Sequence, residues 1–118
     1  MNILVLDDHY EDIKPLLNAW YASDTVSYVT TPFEATRKLG KEKFDVLILD
    51  GDLGSYGNGP EVLRAWKGHG LALPPVVMFS ASPDMRAEGM EAGAIWAIAK
   101  ENCSFEDFEE LKRRVAVS

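Results

Sequence analysis

The sequence predicts an α/β fold built on a parallel β-sheet. Short runs rich in valine, isoleucine and leucine, such as residues 3–6 and 46–49, alternate with segments whose apolar residues recur at helical spacing. Continuous apolar runs of this length are typical of parallel strands that helices cover on both faces. Five such runs and five helical segments follow one another in strict alternation, which favours a doubly wound sheet.

The predicted strands differ in composition. Four are largely apolar runs, whereas the second, Thr-Val-Ser-Tyr-Val-Thr, alternates and is rich in β-branched residues, as expected of a strand nearer the edge of the sheet. The predicted strands are residues 3–6, 25–30, 44–49, 76–79 and 94–99. We expect the flavodoxin-like order 2-1-3-4-5, in which the first and third strands are neighbours.

Proline, threonine and glycine mark the ends of the five predicted helices. The first helix is expected over residues 11–22, with its start close to Pro15, because proline is tolerated only in the first turn. Thr31 is an expected N-cap for a helix that runs to Gly40. Gly93 is an expected C-cap after the fourth helix. The third, fourth and fifth helices are expected to begin at Pro60, Pro83 and Phe105.

Composition and charge limit the classes of function. The 118 residues are enough for one domain, residues 1–118, with a single core. A net charge of −7 argues against binding of this domain to a nucleic-acid backbone. Neither a basic leader nor an apolar run of membrane-spanning length is present, so we expect no membrane segment. The single Cys103 cannot form an internal disulfide, which fits a cytoplasmic location.

Three carboxylates follow two of the apolar runs. Asp7 and Asp8 come directly after the first strand, and Asp50 comes after the third. Because ligands bind at the carboxyl ends of parallel strands, we expect these side chains to lie in one small region. Carboxylates that are close together repel one another unless a cation or a proton intervenes. The sequence therefore predicts a site for a hard divalent ion such as Mg2+, which prefers carboxylates, water and phosphate oxygens.

Two further polar residues close apolar runs at the same predicted edge. Ser80 ends the fourth strand and is followed by the small Ala81, and Lys100 follows the fifth strand. A metal, a hydroxyl and an ammonium around one carboxylate fit phosphoryl chemistry, because positive groups neutralise the equatorial oxygens while a carboxylate oxygen attacks.

Together these residues resemble the site of response-regulator receiver domains of two-component signalling, and the resemblance covers essentially the whole chain. It implies that Asp50 accepts the phosphoryl group and that Ser80 and Lys100 hold its oxygens. It also implies a Mg2+ site to which Asp8 contributes directly and Asp7 through water. The implied metal-binding residues are Asp7, Asp8, Asp50 and, through its main-chain carbonyl, Asp52.

The resemblance also implies the partners. A histidine kinase or a histidine phosphotransfer protein supplies the phosphoryl group, and a downstream protein recognises the face formed by helix four, strand five and helix five. Such a domain catalyses its own phosphorylation and dephosphorylation and is not an enzyme on an outside substrate. The sequence leaves open whether the domain acts alone or belongs to a longer chain.

The chain departs from the family pattern at several positions. Glu101 replaces the proline that usually follows the lysine, so we expect a trans peptide there. Ala97 replaces the usual switch aromatic, and Trp96 should point to the opposite face of the strand. The loop after Asp50 is one residue longer than usual and carries Asp52, whose effect on phosphoryl lifetime the sequence leaves undetermined.

Two alternative functions remain open at this point. Asp50-Gly51-Asp52 is similar to the DxD motif of haloacid-dehalogenase-type phosphohydrolases, although their terminal acidic pair should follow the lysine. The altered residues Ala97 and Glu101 instead favour a receiver-like interaction module that acts without phosphorylation.

Overall fold

A five-stranded sheet forms the centre of the protein in the computed structural model, which describes residues 1–118. The strands are β1 (Asn2–Leu6), β2 (Thr25–Val29), β3 (Val46–Asp50), β4 (Val76–Ser80) and β5 (Trp96–Ala99). They lie in the order β2-β1-β3-β4-β5, and each neighbouring pair is parallel. The flavodoxin-like order predicted from the sequence is confirmed.

Four α-helices connect the five strands, a fifth follows β5, and together they cover both faces of the sheet. They are α1 (Lys14–Trp20), α2 (Pro32–Lys41), α3 (Gly59–Gly68), α4 (Pro83–Glu91) and α5 (Phe105–Ala116). Short 3-10 turns precede α1, α3 and α5, at Tyr10–Asp12, Gly54–Tyr56 and Lys100–Asn102 respectively. No helix has the length and apolar character that crossing a membrane requires.

The first helix begins at Lys14, close to Pro15 as predicted, but it ends at Trp20 and is shorter than the stretch predicted over residues 11–22. An α-helix that began at Glu11 would need a hydrogen bond from the amide of residue 15 to the carbonyl of residue 11. Pro15 has no N–H and cannot make that bond. The segment Tyr10–Asp12 therefore forms a 3-10 turn, and α1 begins with Pro15 in its first turn.

Other helix ends follow the signals in the sequence. The Thr31 hydroxyl accepts a hydrogen bond from the amide of Glu34 at 3.1 Å, which caps the first turn of α2. Gly93, with φ of 115°, follows α4 and reverses the chain toward β5. A residue with a Cβ would be strained in that conformation.

An apolar layer lies on each face of the sheet. The layer beneath α2, α3 and α4 contains the buried Trp66, and Ala97 packs against it. The layer beneath α1 and α5 is packed by Trp20 and Trp96, both half-buried. Ala97 and Trp96 therefore lie on opposite faces of β5, as predicted. The Arg114 guanidinium of α5 lies 4.7 Å from the centre of the Trp96 ring.

Candidate functional site

The sheet brings together the three carboxylates that the sequence singled out. Leu6 at the end of β1 is in register with Leu49 of β3, so Asp7 and Asp8 emerge beside Asp50. One oxygen from each carboxylate lies within 4.8 Å of the others. The close approach follows from the strand order, because β1 and β3 are neighbours at the point where the order of successive strands across the sheet reverses.

The two adjacent aspartates occupy different environments. Asp7 is only 1% exposed, and its Oδ1 accepts a hydrogen bond from the amide of His9 at 2.8 Å. Asp8 is partly exposed, and its Oδ1 lies 3.2 Å from Nδ1 of the exposed His9 ring. The neighbouring Asp8 raises the pKa of His9, mainly through a side-chain hydrogen bond. Asp8 is therefore the more accessible of the two carboxylates.

Lys100 links β5 to the acidic cluster. Its Nζ donates a hydrogen bond to Oδ2 of Asp7 at 2.7 Å and another to Oδ1 of Asp50 at 3.4 Å. Burial by itself would lower the pKa of Lys100, but the hydrogen bond to Asp7 and the charge of Asp50 outweigh it and raise the pKa. The charge of Lys100 can balance only one of the three carboxylates in the cluster.

Burial and charge act together on Asp50. The residue is 7% exposed, and desolvation first and the charge of Asp7 second raise its pKa from 3.8 to about 7, against the opposing effect of Lys100. Ionisation of Asp50 therefore costs free energy unless a further positive charge lies beside it. A divalent cation supplies such charge, because a bound cation favours the ionised forms of the groups around it.

Ser80 ends β4 and is 5% exposed. Its hydroxyl oxygen accepts a hydrogen bond from the amide of Ser82 at 3.1 Å. Its carbonyl oxygen accepts a hydrogen bond from Nη1 of Arg86 at 2.8 Å. The hydroxyl also packs against Gly51, the residue after Asp50. Ser80 thus lies beside the acidic cluster and is tied to the start of α4.

The loop after β3 folds back over the edge of the site. Leu53 is 1% exposed and fixes the loop to the apolar layer beneath α2, α3 and α4. The exposed Asp52 carboxylate accepts a hydrogen bond from the amide of Gly54 at 2.9 Å, and the Asp52 and Asn58 backbones form an antiparallel bridge. The Asp52 side chain is therefore used locally in the turn and is not part of the three-carboxylate cluster.

A cleft of about 860 Å³ opens above these groups. The carboxylates that line it are those of Asp7, Asp8, Asp12, Asp50, Asp52 and Glu61. Oxygen donors of this kind, close together and rich in negative charge, fit a hard divalent cation such as Mg2+. The only cationic side chains at the cleft are Lys100 and, when protonated, His9.

The family is established by the match of the chain to a known domain profile. Residues 3–115 match the response regulator receiver domain. The chain belongs to this family. Among curated proteins no sequence matches this chain significantly.

Solved structures show the same fold over nearly the whole receiver domain. The Vibrio cholerae chemotaxis protein CheY4 is 25% identical with a TM-score of 0.77, and the match covers 97% of each chain. The receiver domain of the Francisella response regulator 1452 is 22% identical with a TM-score of 0.75, over 98% of this chain and 93% of that one. A two-component response regulator from Clostridium difficile is 17% identical with a TM-score of 0.81, over 98% and 95%.

The departures from the family pattern can be located in this receiver domain. The peptide between Lys100 and Glu101 is trans, as expected, because the structure has no cis peptide bond. Residues Lys100–Asn102 form a 3-10 turn that leads toward α5. The family assignment leaves the haloacid-dehalogenase alternative without support. Receiver domains are not classical enzymes.

Several residues at the site were not identified from the sequence. Arg86 lies on α4, six residues after Ser80, and nothing in its neighbours along the chain signals the hydrogen bond to the Ser80 carbonyl. Asp12 and Glu61 line the cleft from a 3-10 turn and from the first turn of α3. No signal in the sequence pointed toward either of these two residues.

Proposed function

We propose that this receiver domain accepts a phosphoryl group on the Asp50 carboxylate. The donor is a phosphohistidine of a histidine kinase or a histidine phosphotransfer protein. A Mg2+ ion, held by Asp8, Asp50 and the main-chain carbonyl of Asp52 with Asp7 assisting through water, would neutralise charge on the phosphoryl oxygens. Family membership supports the proposal, and the chemistry of these particular residues extends it.

One observation carries the proposal. Three carboxylate oxygens, one from each of Asp7, Asp8 and Asp50, lie within 4.8 Å of one another, with the Lys100 ammonium bonded to two of the three carboxylates. An arrangement that serves only stability would not need a third carboxylate beside an ion pair that is already formed. A divalent cation would balance the two carboxylates that Lys100 leaves unbalanced and would favour their ionised forms.

Each side chain has a distinct part in the transfer. An oxygen of Asp50 attacks phosphorus, the bond from phosphorus to the donor imidazole breaks, and an acyl phosphate forms on Asp50. Lys100 stays charged, and its ammonium offers hydrogen bonds to the phosphoryl oxygens. Ser80 moves away from the Ser82 amide and donates a hydrogen bond from its hydroxyl to another phosphoryl oxygen. Water later hydrolyses the acyl phosphate, so the domain modifies only itself.

The proposal includes the output and the location of the domain. Movement of Ser80 alters the face formed by α4, β5 and α5, and a downstream protein recognises that face. We further propose that residues 1–118 act as one receiver domain in the cytoplasm, which the single, unpaired Cys103 supports.

Intact-mass measurement after incubation with acetyl phosphate tests the proposal. The wild type should gain the mass of one phosphoryl group in the presence of Mg2+ and none in EDTA. Asp50→Asn should gain nothing, whereas Asp52→Asn, a matched change two residues away, should still be modified. An adduct that persists in Asp50→Asn would refute Asp50 as the acceptor.

A second candidate is an interaction module that works without phosphorylation. The small Ala97 at the position of the usual aromatic favours it, because the half-buried side chain offers no ring to reorient. No adduct on the wild type under any condition, together with partner binding that Asp50→Ala leaves unchanged, would favour this candidate over the first.

A further inference from the structure

Residues at the start of α4 donate hydrogen bonds to both the hydroxyl and the carbonyl oxygen of Ser80. The amide of Ser82, the N-cap residue of α4, donates to the Ser80 hydroxyl at 3.1 Å. Nη1 of Arg86 donates to the Ser80 carbonyl at 2.8 Å. Hydroxyl and backbone are therefore fixed by two residues of one helical turn, and any displacement of Ser80 must change the position of that turn or break these bonds.

Gly51 completes the surroundings of the Ser80 hydroxyl. A Cβ on residue 51 would overlap the Ser80 hydroxyl oxygen and would lie 2.8 Å from the Cβ of Ser80 and 3.0 Å from the Cβ of Met85. No φ in the left-handed region forces glycine here. The absence of a side chain at residue 51 is therefore what lets the hydroxyl pack beside the backbone that follows Asp50.

Arg86 has no acidic partner that would explain its position otherwise. Its side chain is partly buried, it makes no ion pair, and its hydrogen bond goes to the carbonyl of Ser80. A hydrogen bond from a charged donor is stronger than one between neutral groups, and its loss from a partly buried carbonyl is costly. The bond therefore stabilises the present position of Ser80.

We propose that Gly51, the Ser82 amide and Arg86 form a latch, the Ser80 latch, that retains the Ser80 hydroxyl until Asp50 carries a phosphoryl group. This inference rests on the proposed function, in which the hydroxyl binds a phosphoryl oxygen. In that function Ser80 moves toward Asp50, and this movement releases the Ser82 amide. The release frees the start of α4, so the latch transmits the state of Asp50 to α4 without an aromatic at residue 97. Arg86 and Gly51 are positioning residues.

A variant that weakens the latch should bind a phosphoryl mimic more tightly, whereas a general structural defect would weaken that binding. A variant that weakens only the latched state shifts the population toward the released state and so tightens binding of a phosphoryl mimic. Arg86→Met should raise the affinity for beryllofluoride, measured by calorimetry in the presence of Mg2+, by about five- to tenfold. Arg64→Met, the same change at an exposed residue of α3, should leave that affinity unchanged. Equal or weaker binding by Arg86→Met overturns the latch.

A second measurement needs neither Mg2+ nor a phosphoryl mimic. Hydrogen exchange of the Ser82 amide should become several-fold faster in Ser80→Ala and in Gly51→Ala, because the amide loses its acceptor. The Met85 amide, which donates to the Ser82 hydroxyl at 3.2 Å, should keep its rate and so report that α4 remains folded. Unchanged exchange at Ser82 in Ser80→Ala overturns the latch.

The two measurements separate the latch from the proposed function. If the wild type binds no beryllofluoride with Mg2+, the proposed phosphoacceptor function fails. The exchange rates of the Ser82 amide then still decide whether Ser80 is held as inferred. If the wild type binds the mimic and Arg86→Met binds it no more tightly, the latch fails and the phosphoacceptor function stands.

Discussion

The two halves of the site are built differently. The acidic half, at the ends of β1 and β3, consists of Asp7, Asp8 and Asp50, which repel one another and are partly neutralised by Lys100. The switch half, at the end of β4 and the start of α4, consists of Ser80 and its two hydrogen-bond donors, the Ser82 amide and the Arg86 guanidinium. The first half is destabilised by its own charges, whereas the second is stabilised by its contacts.

This difference suits the two halves to different tasks: the acidic half to phosphoryl chemistry and the switch half to output. The acidic half is complete before any partner arrives, and its unbalanced negative charge favours a cation, which would in turn attract the anionic phosphoryl group. The switch half, in contrast, gives up hydrogen bonds if Ser80 moves as proposed. In the proposed function, the free energy of cation binding and phosphoryl transfer at the acidic half breaks these contacts of the switch half.

The largest effect is expected where the two halves meet. Lys100→Met removes the only charged donor that touches both Asp7 and Asp50. Phosphoryl acceptance from acetyl phosphate should slow by at least about 100-fold, because a donor aimed at developing charge is lost. Lys41→Met, on the exposed end of α2, is the matched control. A loss smaller than about threefold would show that Lys100 balances charge without taking part in transfer.

The charge cost in the acidic half can be measured as stability. Asp50 has a folded pKa of about 7 and an ordinary value of 3.8, so the folded state holds a proton that the unfolded state has lost between these values. Its contribution to the free energy of unfolding therefore decreases as the pH rises from 4 to 7. In EDTA, Asp50→Asn should be about 1–3 kcal/mol more stable than the wild type at pH 8 and nearly equal to it at pH 4.

Urea denaturation in EDTA at the two pH values measures this difference. A variant that is less stable than the wild type at pH 8 would mean that the hydrogen bond from Lys100 outweighs the repulsion from Asp7. The acidic half would then be a stabilising network, and the contrast with the switch half would disappear.

A smaller effect is expected when one metal-binding carboxylate is removed. Asp8→Asn should weaken Mg2+ binding by about tenfold, because an amide oxygen is a poorer ligand for a hard cation than a carboxylate. The rise in melting temperature that Mg2+ produces should shrink accordingly. Asp12→Asn, at the margin of the same cleft, should change the affinity by less than about threefold. Equal losses of Mg2+ affinity in the two variants would mean that the negative charge of the cleft attracts the ion and that no particular carboxylate binds it.

The smallest effect is expected at His9. Its side chain is 78% exposed and touches the site only through Asp8. His9→Ala should change the rate of phosphoryl acceptance by less than about twofold, since exposed pairs contribute little. A change larger than about fivefold, measured in the same acetyl phosphate assay, would extend the acidic half to include this residue.

The sequence predicted the acidic half better than the switch half, for a physical reason. Asp7, Asp8, Asp50 and Lys100 follow apolar runs, and the carboxyl ends of parallel strands lie at one edge of the sheet. The position of each side chain then follows from its place in the strand. What the sequence did not distinguish was burial, since Asp7 and Asp8 are identical neighbours and only the structure shows Asp7 paired with Lys100.

The contacts of Ser80 depend on distances that the sequence does not encode locally. Arg86 reaches the Ser80 carbonyl across a turn, and Gly51 meets the Ser80 hydroxyl from the loop that follows β3. The first contact arises from the packing of α4 against β4, and the second from the pairing of β3 with β4. The start of α1 was indicated by Pro15, because proline is tolerated only in the first turn, whereas nothing in the sequence marked its end at Trp20.

The central claim is that Asp50 itself receives the phosphoryl group, and chemical trapping tests it most directly. Borohydride reduces an aspartyl phosphate to homoserine, which peptide mass spectrometry can locate. After incubation with acetyl phosphate and Mg2+, homoserine should be found at residue 50 alone, and none should form in EDTA. Homoserine at residue 7, 8 or 52, or its absence from a domain shown to bind Mg2+, would contradict the claim.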